Sequence, residues 1–391
     1  MNVFLFTSVP LNPPWDQGDK NLAYTLTQAL PDISFNILTQ RLKSAHDSPN
    51  LFSYPVYTSR EPSFAQKAII FSRWAISSKG WPGNHLTSAP DLYHLIYRPY
   101  PLSSWMLKRL PGFQKIPTIH TIPATAEIQH FTRNLFYADR LVVISRFGHR
   151  QLSDLGYRAD LILPGIQPSI WKIDPDCANG YKARLGMAGR RVVLFPGHYG
   201  PGQGADTLVK ALPDLVSRVP DSLVVFACRP RSNNDNQMEA KMIDAVKSKG
   251  LLNNVRFYRT IDNMKSLVFA SDVVTLPIVS MSNKLDIPTT LLEFMASGKP
   301  VVISDVPPMN EIMTTESGAS TEVGLQIRPG DALALSDALA ELLLDPDYRR
   351  RLGENGVDLV YSCFLLSEMA EKYRQIYLEM TRASQRVPIN G

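Results

Sequence analysis

Cysteine is scarce in this 391-residue chain: Cys177, Cys228 and Cys363 are the only three, far apart and without metal-ligand spacing. That usage fits a reduced, cytoplasmic protein. Long hydrophobic runs are missing too, since no stretch of about 18 apolar residues appears and nothing reads as a bilayer span. The N-terminal MNVFLFTSVPLNPPWD has no basic leader and reaches Pro, Asn and Asp too early for a secretory signal, so it reads as a first strand. Short repeats and low-complexity tracts are absent as well.

What is present is a globular composition, 44% hydrophobic and 20% charged. The length exceeds one ordinary core and suits two domains of similar size. Charge is unevenly divided: Met1 to Ile170 carries 16 Lys+Arg against 10 Asp+Glu, and the remainder 25 against 26. The basic half is the first half.

Strands alternate with helical stretches along the whole chain, the pattern of α/β folds with parallel sheets. NVFLFTS, FNILTQ, DLYHLIY, KIPTIHTI, RLVVIS and ADLILP supply the first set. RVVLFPG, DSLVVFACR, NVRFYRT, DVVTLPI, KPVVISD and GLQIRP supply the second. Between them PGIQPSIWKIDPDCANG, Pro164 to Gly180, lacks periodicity and reads as a linker. The expected division is 1–168 and 169–364, with a final amphipathic helix, about 365–391, returning to the first domain. Each set makes one Rossmann-like, doubly wound sheet, and such sheets bind ligands at the carboxyl ends of their strands. Functional residues are therefore expected just after strands.

Several polar groups and glycines occupy such places. Gly18 follows the first strand and opens a helix, where it either admits a ligand or simply turns the chain beside a capping Asp19. His120 closes KIPTIH, as a structural hydrogen-bonding residue or a catalytic one. The second set opens with VVLFPGHYGPGQGAD, whose Gly197, Gly200, Gly202 and Gly204 free backbone amides to cradle phosphate. It is neither the nicotinamide fingerprint nor a P-loop. Arg229 and Arg231, after the next strand, either neutralise a diphosphate or form a solvated basic edge.

The stretch LDIPTTLLEFMASGKPVVISDVPP, Leu285 to Pro308, is the most informative. Pro288 suits a helix first turn, Thr289 or Thr290 suits a cap, and the free amides there would hold a phosphate. Glu293, one turn further in, is placed to accept hydrogen bonds from vicinal hydroxyls, as acidic residues do with ribose in nucleotide folds.

This stretch resembles the donor-site signature of retaining GT-B glycosyltransferases, the family 4-like "glycosyl transferases group 1": E-x7-E leading into E-A-M-A-x-G-K-P-V-V. The glycine loop, VRFYRTIDNMKSLVFASDVVTLP and the signature keep that family's order and spacing. PTIHTI and RLVVIS match its first domain more loosely. The resemblance implies the GT-B fold, two Rossmann-like domains facing a central cleft. It implies metal-independent transfer of a sugar, with retention, from a nucleotide-sugar donor to an acceptor hydroxyl or amine. No cofactor is implied beyond that substrate, a UDP- or GDP-sugar.

The roles carry over by position. Glu293 becomes the ribose ligand, the amides of Thr289 and Thr290 the phosphate ligands, and His120 the active-site histidine. Three departures stand out. The first acid of E-x7-E falls on Leu285, leaving Asp286, one position late, to reach sugar hydroxyls. The usual Arg of the glycine loop is His198, and the usual Lys is Gln203. Lys284, Arg229 or Arg231 are then the candidate pyrophosphate cations. A GT-B protein that binds a nucleotide sugar or a partner without turnover stays open beside the enzyme, as does a nucleotide-sugar epimerase.

No nucleic-acid partner is expected. The acceptor is expected on the basic first domain. Its stretches SFAQKAIIFSRWAISSKGW and YPLSSWMLKRLPGFQK read either as ordinary helices burying Ile69, Ile70 and Trp74 or as peripheral contacts with the inner face of a membrane.

Overall fold

The computed structural model describes residues 1–13, 17–41, 48–59, 62–63, 66–67, 90–109, 115–126, 128, 135–172, 175–230, 232–259, 263–282 and 284–385. Ile69, Ile70, Trp74 and Arg231 lie outside these residues. The chain divides into two compact units. Unit 1 comprises Met1–Gly165, Asn283–Ile287 and Leu366–Gly391, and unit 2 comprises Ile166–Ser282 and Pro288–Leu365. The five-residue piece of unit 1 that interrupts unit 2 falls within the stretch singled out from sequence.

Unit 1 contains β1 (Asn2–Thr7), α1 (Gly18–Ala29), β2 (Ser34–Gln40), β3 (Leu51–Tyr57), β4 (Leu92–Ile96), α2 (Pro101–Leu107), β5 (Thr118–Ile122), β6 (Arg140–Val143), α3 (Arg146–Asp154) and β7 (Asp160–Leu161). Among the described residues these strands form one parallel sheet of order β3-β2-β1-β4-β5-β6-β7. The two-residue period of a strand sorts β1 cleanly. Val3 and Leu5 enter a core shared with α1, and Phe4 and Phe6 enter an aromatic core with Tyr93 and Tyr97 on the other face.

Unit 2 contains α4 (Pro175–Arg184), β8 (Arg191–Phe195), α5 (Ala205–Arg218), β9 (Ser222–Ala227), α6 (Asn233–Ser248), β10 (Val255–Tyr258), α7 (Met264–Ala270), β11 (Val273–Leu276), α8 (Thr289–Ala296), β12 (Val301–Ser304), β13 (Gly324–Ile327), α9 (Ala332–Leu344) and α10 (Pro346–Cys363). Its sheet is also parallel, with order β10-β9-β8-β11-β12-β13. Both orders reverse once, between β1 and β4 and between β8 and β11. Those are the switch points where doubly wound sheets open a crevice at the carboxyl ends of their strands.

The last helix, α11 (Leu366–Gln385), belongs to unit 1, where Met369, Tyr373, Ile376 and Tyr377 join the core containing Val3 and Leu22. Two features depart from the sequence reading. β3 is an edge strand containing Pro55. The segment read as a linker holds a 3-10 turn, Pro168–Trp171, and the start of α4.

Candidate functional site

The glycine loop of unit 2 lies at that unit's switch point, between β8 and α5. Gly204 closes it in the left-handed region at φ 95°, and a Cβ there would stand 2.6 Å from the Pro277 carbonyl oxygen, so only glycine fits. The Gly202 carbonyl accepts hydrogen bonds from the amides of Val279 at 2.7 Å and Ser280 at 3.2 Å. The loop after β8 is thereby fastened to the loop after β11. Gly197 fits only as glycine as well, because a Cβ would approach the Phe195 ring to 2.2 Å. Within the loop His198 is half-buried. Gln203 is buried, and its Oε1 has no hydrogen-bond partner among the described residues.

The start of α8 belongs to the same unit. Its N-cap is Pro288, whose backbone is extended (φ −64°, ψ 121°), and no side chain caps the helix. The expectation of a Pro in the first turn and a threonine cap is corrected here. A proline cap offers no side-chain acceptor, so the first-turn amides of Thr289 and Thr290 stay uncapped at the positive end of the helix dipole. Thr289 is half-buried and Thr290 exposed.

Glu293 follows one turn later. Its carboxylate is half-buried and accepts no hydrogen bond from any described residue; only its backbone carbonyl is engaged, by Ser297. Burial pushes its pKa up to about 7, with Lys265 pulling the other way. Lys265 at the start of α7 lies 5.6 Å from the centroid of the buried Trp171 ring. Neither residue stood out in the sequence, because a lone Lys in a helix and a Trp in a linker carry no spacing signal. Arg229 is exposed beyond the end of β9.

In unit 1, His120 is wholly buried in β5. Its Nε2 lies 2.9 Å from the Tyr97 carbonyl oxygen. A carbonyl only accepts, so Nε2 carries the proton and Nδ1 is a lone pair, with no hydrogen-bond partner among the described residues. Burial lowers the pKa to about 4, and the ring is neutral at physiological pH.

Asp286 and Leu285 are also in unit 1. The Asp286 carboxylate is fully buried and accepts from the Thr125 amide, the Thr125 hydroxyl and the Ser145 hydroxyl, each at 2.6 Å. Its own amide donates to the Pro123 carbonyl at 3.0 Å. Ser145 in turn caps α3 through the Gly148 amide. Burial raises the pKa of Asp286 to about 6 against the opposing pull of those three hydrogen bonds. A Ser at a strand end before a helix is a readable cap signal; Thr125 had none. Leu285 joins the core containing Leu5 and Leu22. A Cβ on Gly18 would meet its Cγ at 2.5 Å, so the space at Gly18 is used by Leu285. Lys284 is half-buried in the same segment.

Residues 182–358, nearly the whole of unit 2, match the family described as Glycosyl transferases group 1. That match lies in unit 2 and covers less than half of the chain. Among curated proteins similar to this chain, the D-inositol 3-phosphate glycosyltransferase of Nocardia farcinica is 27% identical over 293 residues. That alignment covers 68% of this chain and 62% of the relative. The alpha-D-kanosaminyltransferase of Streptomyces kanamyceticus is 25% identical over 201 residues, covering 51% of this chain and 48% of the relative. The match thus spans less than two thirds of either relative's length.

Solved structures share the fold over nearly the whole chain. Sucrose-phosphate synthase from Thermosynechococcus elongatus has a TM-score of 0.78 at 20% identity, covering 98% of this chain and all of the other. Anabaena Alr3699/HepE, solved in complex with UDP-glucose, has a TM-score of 0.73 at 15% identity, covering 96% and 99%. The architecture is GT-B, two parallel α/β sheets with their helices.

Proposed function

We propose that this protein is a retaining, metal-independent glycosyltransferase that moves a sugar from a nucleotide-sugar donor, a UDP- or GDP-sugar, to an acceptor hydroxyl or amine. The observation that carries this reading is the Glu293 carboxylate, half-buried and without a hydrogen bond, just behind the uncapped first turn of α8. A carboxylate held out of water with no protein donor is an acceptor for two vicinal hydroxyls, and uncapped amides are ligands for phosphate. Those are the two ends of a nucleoside diphosphate. Relatives named as glycosyltransferases and a neighbour solved with UDP-glucose support the reading.

In this mechanism the leaving diphosphate gains charge as the sugar becomes oxocarbenium-like. The fixed amides of α8 and the glycine loop stabilise that charge without reorganisation. Arg229, in the same unit as the glycine loop, is the cation assigned to the diphosphate in place of those missing at His198 and Gln203. The acceptor attacks from the face of the leaving group, and a phosphate oxygen takes its proton, so no protein base is needed. His120, neutral, is assigned to the neighbourhood of the transferred sugar by its match to the family's active-site histidine. Asp286 is a positioning residue: its three hydrogen bonds fix the loop that follows the strand of His120. The acceptor is assigned to unit 1, and the site of action to the cytoplasmic side of a membrane, in peripheral contact with it.

Gln203 favours a second reading, since a neutral amide where the family has Lys suits a protein that binds the donor without turnover. Thermal-shift screening with UDP-, GDP-, ADP- and dTDP-sugars, followed by a donor-hydrolysis assay, separates the two. Transfer requires binding and release of nucleotide. Binding without release under every donor and acceptor mixture would establish the second reading.

A further inference from the structure

In unit 1 the short helix α2 is oriented against the usual rule. It buries Ser104 and Leu107 while Leu102 and Trp105 stand 53% and 54% exposed; Tyr100, just before the helix, is 54% exposed. An amphipathic helix in a water-soluble face turns its large apolar side chains inward, so three of them outward within six residues mark a surface built to be covered. The charged residues of this stretch of sequence have one sign. From Leu92 to Ala126 the sequence contains Arg98, Lys108, Arg109 and Lys115 and no Asp or Glu. Two of these cations lie over the exposed rings: the Arg98 guanidinium carbon is 5.6 Å from the Tyr100 ring centroid and that of Arg109 is 4.3 Å from Trp105. Arg109 also donates to the Trp105 carbonyl at 3.3 Å.

Trp and Tyr with an apolar body and a wet edge, set among Lys and Arg, are the side chains that settle at the boundary between headgroups and acyl chains. We propose that the face formed by Tyr100, Leu102 and Trp105 with Arg98, Lys108 and Arg109 docks on an anionic phospholipid bilayer surface. The aromatic and aliphatic side chains enter the headgroup boundary and the cations meet lipid phosphate. The face follows the carboxyl end of β4, on the sheet edge where β5 and β6 also end. An acceptor presented by the bilayer therefore arrives at the same edge as His120's strand end. This gives the peripheral contact in the proposed function a surface and a lipid chemistry. It rests on unit 1 alone and stands whether or not unit 2 holds a nucleotide.

Flotation of the full chain with vesicles of phosphatidylcholine, alone or mixed with phosphatidylglycerol, tests the proposal, with UDP affinity measured separately. Expected are partition onto the anionic vesicles only, weakening as salt is raised, and a blue shift in tryptophan emission that Trp105→Ala removes. Leu102→Ser with Trp105→Ala should abolish flotation and leave UDP affinity and the thermal midpoint unchanged. Arg109→Gln should weaken vesicle binding about fivefold. Equal binding to neutral vesicles, no binding to either, or binding that survives the double variant overturns the proposal. So does a concentration-dependent dimer abolished by Trp105→Ala, because it assigns the face to a second copy of the chain.

Discussion

At the residue scale, two acids seven positions apart do opposite things because their surroundings differ. Asp286 has three donors at 2.6 Å and no exposure, so it holds structure together. Asp286→Ala leaves the Thr125 amide, the Thr125 hydroxyl and the Ser145 hydroxyl without an acceptor. The expected loss is about 3 kcal/mol, read as a lower midpoint in chemical denaturation. Glu293 has no donor and a pKa of about 7, raised from 4.5. Its protonated form accepts hydroxyls poorly, so nucleotide affinity should fall as pH drops through 7 and reach its plateau above 8. The sign for stability is opposite to that of a paired carboxylate. A carboxyl whose folded pKa lies above its unfolded value binds more protons when folded, so its contribution to stability declines as pH rises through that window. His120, held neutral by burial with a pKa of about 4, should add no step between pH 5 and 8. His120→Ala is expected to lower turnover while leaving nucleotide affinity within about twofold, which separates a group at the transferred sugar from one that binds ground state and transition state equally.

At the element scale, legibility follows burial. The strands of both sheets were readable because a parallel strand covered on both faces is a continuous apolar run, as in RVVLF and SLVVF. β3 was missed for the same reason: LFSYPVY is an edge strand, half-exposed, with Pro55 interrupting its pattern. The role of Leu285 was also hidden. Read along the chain it is an aliphatic residue where an acid is expected, and only the fold shows it filling the space left by Gly18. Sequence gave no sign of what seats α11, either. His94 bridges the Tyr377 hydroxyl at 2.6 Å and the Thr121 hydroxyl at 2.8 Å, and Thr121 meets the Tyr373 hydroxyl at 3.0 Å, all buried. Burial lowers the His94 pKa to about 3, so the ring is neutral and one nitrogen must find a donor. Tyr377→Phe leaves Nδ1, donor or acceptor according to tautomer, without its partner. The helix should be destabilised by about 1–2 kcal/mol, seen as faster amide exchange in Leu366–Gln385.

At the scale of the whole molecule, each unit has one switch point of its own. Unit 2 holds an uncapped helix start and an unpaired carboxylate, and unit 1 a neutral histidine on a braced strand. The turn that needs Gly204 and the helix start before Glu293 were visible from the glycine loop and from the stretch around Pro288. The bracing was not, because Thr125, Ser145 and Asp286 meet only through the fold. The account stands on Glu293 as the ligand of the donor's ribose. Isothermal titration of UDP and GDP into the wild-type chain and Glu293→Ala at pH 8 is its most direct test. Two charge-assisted hydrogen bonds are at stake, so one of the nucleotides should bind the wild type, and the variant's dissociation constant should be about 100-fold higher. An unchanged dissociation constant, or a wild-type chain that binds neither nucleotide, would contradict it.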